Sequence, residues 1–322
     1  MTDQKGPDDL LPGKEPDLGV EVEEFEMSLE REKVHGRTAP WRDVWRRLYH
    51  NKMAMAGLGI IVFMILVAIF APLVAPYDPI DQMELKVPGG VKHPPTWKHW
   101  LGTDDLGRDI LSRPIYGARV SVEVGIVAVA ISLVIGLFFG ALAGYFGGWA
   151  DSVIMRSADI FLAFPTVLAA IAIMTVLGPE PINVFIAIGV LRWATIARIF
   201  RGSIFSVKEN EYVEAARAMG AGNSRIILKH IMPNAIQPII VYATMSVGSA
   251  ILAEAWLAFL GLGQQLPAPS WGNMLSECLP FYTTDPWMML IPGVAIVFGV
   301  LAFILLGDGL RDALDPRLKG SI

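Results

Sequence analysis

The sequence predicts an all-α integral membrane protein with six transmembrane helices and both termini in the cytoplasm. Three observations carry this. The 322 residues are 53% hydrophobic and only 18% charged, with a mean hydropathy of +0.49, too apolar for an ordinary soluble domain. Intervals free of charged side chains recur at the length of about 20 residues that a helix needs to cross the hydrocarbon. Lysine and arginine gather in alternate loops, as expected when the basic loops stay in the cytoplasm.

Residues 1–37 form an acidic leader, holding Asp3, Asp8, Asp9, Glu15, Asp17, Glu21, Glu23, Glu24, Glu26 and Glu30. It has no basic stretch followed by an apolar one, so it is not read as a cleaved signal peptide but as a disordered cytoplasmic segment. Residues 38–52 follow as an interfacial helix. Helical spacing aligns Trp41, Val44, Trp45, Leu48 and Tyr49 on one stripe with Arg42, Arg46 and Arg47 off it. Pro40 suits its first turn.

The first span is 53–76, and a long extracytoplasmic loop, 77–122, follows it. Five further spans lie within a core at 123–310: near 124–150, 160–179, 182–200, 230–253 and 286–307. The interval near 182–200 contains Arg192 and Arg198 but is needed for a consistent topology. The cytoplasmic flanks then carry Arg42, Arg46, Arg47, Lys52, Arg156, Arg198, Arg201, Lys208, Arg217, Arg225, Lys229 and Arg311, with Arg317 and Lys319 in a cytoplasmic tail at 311–322. The outer cations all fall in the one long loop, where the charge rule is weaker. In the second span Gly136, Gly140 and Gly144, four apart, make a small-residue ridge suited to close helix packing.

Between spans four and five lies "EYVEAARAMGAGNSRIILKHIMPNA". Good helix formers from Glu211 to Met219 cover about 13 Å. Gly220 and Gly222 can stop that helix in the left-handed conformation, and Asn223 or Ser224 can cap a second one running to Pro233. Glu214 and Arg217 share a face and can form an internal ion pair. On the residues alone the segment reads equally as a docking element or as an ordinary cytoplasmic loop.

"EAARAMG" with a downstream proline resembles the Glu-Ala-Ala motif of ABC importer permeases, and Glu214, Ala215, Ala216, Gly220 and Pro233 stand at its positions. "KHIMPN" is similar to the form found in the dipeptide, oligopeptide and nickel importer branch. "HWLGTDDLGRDILSRPIYGARVS" (99–121), "LAFLGLGQQLPAPSWGNML" (257–275) and "GDGLRDALDPRLK" (307–319) resemble C-type permeases of that branch. Pro114 departs from the apolar residue usual there.

The resemblance runs from about residue 41 to the end. It implies a type I ABC importer permease fold and a multi-pass location in a bacterial or archaeal cytoplasmic membrane. Implied partners are a second, B-type permease, two ABC ATPase subunits and an extracytoplasmic substrate-binding protein. It assigns Glu211, Tyr212, Glu214, Ala215, Ala216, Arg217, Gly220 and Pro233 to ATPase coupling. The cargo implied is di- or oligopeptide, with nickel chelates, glutathione or oligosaccharides as alternatives.

No G-x-x-x-x-G-K-[ST] phosphate loop is present, so the chain is not expected to be an enzyme or to bind a cofactor. ATP and magnesium would belong to the partner ATPases. No aromatic-plus-basic pattern points to nucleic acid, and the five histidines show no metal-binding spacing. Cys278 is the lone cysteine, which excludes an internal disulfide.

Other candidates stay open. The "TDDLGRDILSR" stretch reads as an amphipathic interfacial helix capped near Thr103, or as a receptor contact through Asp104, Asp105, Arg108 and Asp109. Arg192 and Glu254, as ionisable groups in spans, are candidates for the translocation pathway. Arg192 could instead pair with an acid or reach the interface, and Glu254, Asp159 and Asp308 fit structural roles near span ends. A secondary carrier would be expected to show inverted repeats and broken helices around a midplane acid, which the sequence lacks. An intramembrane enzyme would need paired catalytic groups, which are also missing.

Overall fold

The computed structural model describes residues 41–315. The acidic leader, Pro40 and the tail beyond Asp315 lie outside the described residues. Within them the chain is helical, with one isolated bridge between Thr103 and Asp109.

A short helix α1 (Trp41–His50) precedes α2 (Lys52–Ile69), whose start is capped by Asn51 accepting from the Met53 and Ala54 amides at 3.1 Å each. The apolar stripe of α1 divides between two surroundings. Val44 and Leu48 pack into a buried cluster with Ala54, Ala313 and Leu314, while Trp41, Trp45 and Tyr49 remain exposed, as interfacial aromatics would be.

Next come α3 (Ser112–Phe146), α4 (Gly148–Ala163), α5 (Thr166–Leu177) and α6 (Pro181–Lys208). The core closes with α8 (Gln237–Phe259) and α10 (Trp287–Leu314); before them α7 (Glu211–Ala218) lies on the cytoplasmic side, and α9 (Trp271–Cys278) lies between them on the outer side.

Among the described residues five helices are long and apolar enough to cross a membrane, and α4 with α5 forms a pair bent by 89° that is apolar enough to make a sixth crossing. Packing settles how that bent pair must run. Along α3, Gly136, Gly140 and Gly144 meet Ile196, Ala197 and Ile204 of α6 in the same order, so α3 and α6 are parallel. Two parallel spans cannot be neighbours in the chain without a return crossing between them, and α4–α5 is the segment available to make it. The pairs α3–α8, α8–α10 and α10–α2 are antiparallel: Gly125 of α3 meets Ile251 of α8, Gly248 of α8 meets Val300 of α10, and Gly309 of α10 meets Ala54 of α2.

The bend falls at Phe164–Pro165, where proline cannot continue the α4 ladder. The third span therefore begins well before 160, because Asp151 and Asp159 on α4 are neutralised across the fold. Arg201 Nη2 donates to Asp151 Oδ2 at 2.6 Å, and Arg198 pairs with Asp159.

The glycine ridge of α3 serves this internal seam. A Cβ on Gly140 would stand 2.8 Å from the Ala197 carbonyl oxygen, and one on Gly136 2.6 Å from Ile196 Cβ. Absence of side chains here is what lets the two backbones approach.

On the outer side, the expected amphipathic helix over 103–113 is replaced by a tight turn. Gly102 (φ 84°) and Gly107 (φ 73°) take left-handed conformations, and a Cβ on Gly107 would be 2.6 Å from the Leu85 amide nitrogen. Asp104 Oδ1 accepts the Leu106 and Arg108 amides at 2.9 Å each, an arrangement that competes with helix. The N-cap of the following helix is Leu111, not Thr103, and Asp109 holds its first residue from two positions before that cap. Asp109 Oδ2 accepts both the amide and the hydroxyl of Ser112 at 2.7 Å, opening α3.

Cys278 lies buried at the end of α9, its Sγ donating to the Met288 carbonyl at 3.4 Å. Burial pushes its thiol up to about 12, against the pull of nearby Arg113. Because only the thiolate reacts, a water-soluble maleimide at pH 7.5 is expected to leave Cys278 unlabelled until the protein is denatured. Rapid labelling of the folded protein would contradict this burial.

Candidate functional site

The cytoplasmic hairpin is built as an extension of α6. After Lys208 the chain turns at Glu209 and Asn210 and enters α7, whose inward side chains are Val213 and Ala216, both buried. Val213 joins one apolar cluster with Phe200 and Ile204 of α6 and with Ile226 and Ile231 beyond the turn. The helix is thereby fastened to a membrane span instead of hanging from it.

The other face is open. Glu211, Tyr212, Glu214, Ala215, Arg217 and Gly220 are exposed, and only Ala216 among the motif residues points inward. The internal pair expected between Glu214 and Arg217 does not form: neither charge has an ion-pair partner among the described residues. Burial pushes the Tyr212 hydroxyl pKa up, and a hydrogen bond with Asn210 opposes the shift. The result is an exposed helical face with unspent charges and little bulk at Ala215.

Gly220 ends this helix at φ 81°, with no atom within 4 Å of where a Cβ would sit. Its glycine is required by backbone conformation, not by crowding. Gly222, not Asn223 or Ser224, is the N-cap of the segment that follows. Asn223 instead accepts a hydrogen bond from the Tyr145 hydroxyl at 2.8 Å, tying the turn to the cytoplasmic end of α3.

The second arm runs through Asn223–Arg225, a π-helical stretch Ile226–Ile231 and Met232–Ala235. It does not stop at Pro233 as expected. Pro233 has no amide to offer, so the turn before it loosens to π spacing, and the proline sits exposed in the first turn of Met232–Ala235. It is thus set apart from the Glu211–Gly220 face in the chain but on the same arm of the hairpin that leads into α8.

The two candidate pathway charges are not brought together. Arg192 on α6 reaches α8, where Nη1 donates to Ser249 Oγ and Nη2 to the Ser249 carbonyl, both at 3.0 Å. It has no acidic partner among the described residues, so it is held by hydroxyl and carbonyl oxygens. Glu254 is 1% exposed and turned into the α3–α8 contact, where Oε2 accepts from the Ser121 hydroxyl at 3.0 Å. It therefore lines no open surface of this chain.

The outer-loop residues read as receptor contacts lie inside a charge knot. Asp104, Arg108 and Asp109 are buried, with only Asp105 half-exposed. Arg108 Nε donates to Asp104 Oδ2 at 2.6 Å and its Nη2 to Glu277 Oε1 at 2.9 Å. Arg113, in the first turn of α3, bridges the same two carboxylates. Burial works against the Arg108 charge, but Asp104 and Glu277 more than offset it and hold its pKa above the usual arginine value. Burial pushes the Asp105 pKa up, helped by the Asp104 charge.

A second group adjoins this one. His99 Nδ1 lies 2.8 Å from Asp109 Oδ1, and Glu84 pairs with Lys98, whose hydrogen bond lowers the Glu84 pKa. No group of three or more metal-ligating side chains assembles among the described residues.

Arg113 and Glu277 were missed at the sequence level. They are 164 positions apart, and nothing local to either announces the other.

The chain matches the family model described as "Binding-protein-dependent transport system inner membrane component" over residues 136–320. It also matches the "N-terminal TM domain of oligopeptide transport permease C" over residues 39–95. It is 46% identical over 288 residues to the dipeptide transport system permease protein DppC of Alkalihalophilus pseudofirmus, covering 89% of this chain and 93% of that one. It is 44% identical over 281 residues to the glutathione transport system permease protein GsiD of Escherichia coli, covering 87% and 92%. It is also 44% identical over 279 residues to the oligopeptide transport system permease protein OppC of Bacillus subtilis, covering 87% and 90%. Among solved structures, an inward-facing MetNI methionine ABC transporter superposes with a TM-score of 0.52 at 18% identity, covering 64% of this chain and 98% of that one. At that identity the likeness concerns the fold.

Proposed function

The chain belongs to the family of binding-protein-dependent transport system inner membrane components, and we propose that it is the C-type permease of an ATP-driven importer of di- or oligopeptides. In this reading it sits in a bacterial or archaeal cytoplasmic membrane beside a B-type permease. Two ATPase subunits supply nucleotide and magnesium chemistry from below, and a substrate-binding protein delivers cargo from outside.

The observation that carries the coupling role is the Glu211–Gly220 face. It is exposed, lacks bulk at Ala215, keeps Glu214 and Arg217 unpaired, and is fastened through Val213 to the cytoplasmic end of α6. A helix anchored in this way passes a displacement to the span it is packed on. Driving a two-state switch from 1:99 to 99:1 takes about 5.5 kcal/mol of differential interaction. One exposed ion pair supplies about 0–1 kcal/mol, so the docked hairpin acts as a body, with Glu214 contributing a charged contact to the ATPase.

Glu214→Lys and Gly220→Val test this. A side chain at φ 81° strains the turn by about 1–3 kcal/mol, and the Lys substitution reverses the docking charge. Both variants are expected to insert in the membrane, lose labelled-peptide uptake and copurify with less ATPase. Full uptake and full ATPase association in both would sink the assignment.

Peptide cargo rests on the dipeptide and oligopeptide relatives, and the glutathione permeases at comparable identity keep a tripeptide thiol in the same class. In proteoliposomes containing the complex and its binding protein, peptide is expected to stimulate ATP hydrolysis. Stimulation by a sugar or metal chelate alone would reassign the substrate.

Receptor contact is placed on what the outer loop leaves exposed around the knot: Asp105, Trp97 at 99% exposure and Trp100 at 67%. Tryptophans are enriched among residues that dominate interface energetics. Arg192, held at Ser249, remains the candidate for meeting cargo in the membrane; Glu254 contributes to helix packing.

A further inference from the structure

Near their outer ends α2 and α3 leave a groove of ≈ 480 Å³ with Ile65, Ile69 and Ile126 as its apolar wall and two opposite charges, Arg119 and Glu123, on its rim. Arg119 is oriented by α2. Its Nη2 donates to the Ile69 carbonyl at 3.0 Å and its Nε to the Ala68 carbonyl, satisfying orphan carbonyls at that helix end. Its Nη1 has no acceptor among the described residues. Glu123, one turn further along α3, is exposed and has no hydrogen bond or ion pair among them.

Depth follows from α2, which ends at Ile69 after 18 residues, the length of a minimal span, and is continued by the short apolar turn Ala71–Val74, so that this end lies close to the outer face of the hydrocarbon. Arg119 is then at headgroup level and Glu123 just below it. Helical side chains lean toward the N-terminus, which for α3 is the outer side, so the Glu123 carboxylate rises toward Arg119. An unpaired carboxylate facing hydrocarbon is costly and calls for a cation. The residue offering its charge nearby is committed to α2.

We propose that this groove binds one outer-leaflet glycerophospholipid with a primary-ammonium zwitterionic headgroup, of the phosphatidylethanolamine type. Its phosphate sits against Arg119 Nη1, its ammonium donates to Glu123, and an acyl chain lies along Ile65 and Ile126. The two rim charges lie one helical turn apart, close to the spacing of a phosphate and an amine joined by two carbons. A choline headgroup has no N–H to donate, and a glycerol headgroup has no cation. The helix-facing alternative, an opposed segment of the partner permease, would need to bring both signs to one turn of α3.

The assembled permease–ATPase complex is reconstituted in vesicles of equal phosphatidylethanolamine, phosphatidylcholine and phosphatidylglycerol, re-extracted, and its retained lipid read by native mass spectrometry. Retention of the ethanolamine lipid above the other two is expected. Glu123→Gln should lower the ethanolamine-to-choline ratio about tenfold, as loss of one charge-assisted hydrogen bond implies. A photo-crosslinking residue at Ile126 should capture lipid. An unchanged ratio in Glu123→Gln, or capture of the partner permease at Ile126, would overturn the proposal.

Discussion

Replacing Arg113 by methionine is expected to be the most damaging single change on the outer side, lowering stability by about 3–5 kcal/mol. Arg113 is joined to both Asp104 and Glu277, with side-chain exposures of 2%, 4% and 17% respectively. Methionine fills much of the same space, so the loss is electrostatic. Two carboxylates are left sharing one remaining arginine, and Asp104 keeps a charge out of water without its second partner. The arginine also stands in the first turn of α3, where a cation opposes the helix dipole unless carboxylates compensate it. Thermal unfolding of the purified complex checks the magnitude. Asp104→Asn combined with Arg113→Met should cost less than the two single changes added together, because the charge left stranded in one is removed in the other. A loss under about 1 kcal/mol for Arg113→Met would mean that solvent reaches the knot.

Gly140→Leu is expected to rank with it, for a different reason. Its Cβ would meet the Ala197 carbonyl oxygen at 2.8 Å and Ala197 Cα at 3.1 Å, both backbone atoms that no rotamer change can move. The seam must open, and overpacking of this kind costs about 1–3 kcal/mol or more. Because α7 is packed on the same α6 that would be displaced, uptake should fall together with stability. Gly202→Ala is the matched control. It is also a glycine of α6, but nothing lies within 4 Å of its Cβ position, so relief of helix-interior glycine should leave the protein equal or about 0.5–1 kcal/mol more stable. Equal tolerance of both substitutions would show that α3 and α6 are not in close contact.

Spans were legible wherever charge was absent, since hydrocarbon admits little else. They were misjudged where charge was present but paired. Residues 151–159 looked cytoplasmic because Asp151, Arg156 and Asp159 interrupt the apolar run, and the partners that neutralise the two aspartates sit on α6, 50 and 39 positions away. Glu123 bounded the charge-free interval from 124 and so was taken as its edge, though α3 begins at Ser112. The outer turn misled in the opposite way. Its apolar residues have helical spacing, but Gly102 and Gly107 decide the backbone, and the polar residues that seemed free for a partner are used internally. At the cytoplasmic hairpin the sequence located helix, glycine stop and second arm. What it could not supply was which of Glu214 and Val213 faces out, because that depends on how α7 rolls against α6.

The parallel run of α3 and α6 also bears on how the chain is assembled in the membrane. Antiparallel neighbours can pair as a hairpin as soon as the second helix leaves the insertion machinery. A parallel pair cannot. The glycine face of α3 must wait among lipid chains until the bent crossing has returned to the outer side and α6 has entered from there. Glycine, with no side chain, offers lipid little to hold and is readily vacated when Ile196, Ala197 and Ile204 arrive. The most extensive helix pair among the described residues is thus one of the later ones to form, and a lesion at Gly140 should appear during biogenesis as a chain that is fully inserted yet never compacts.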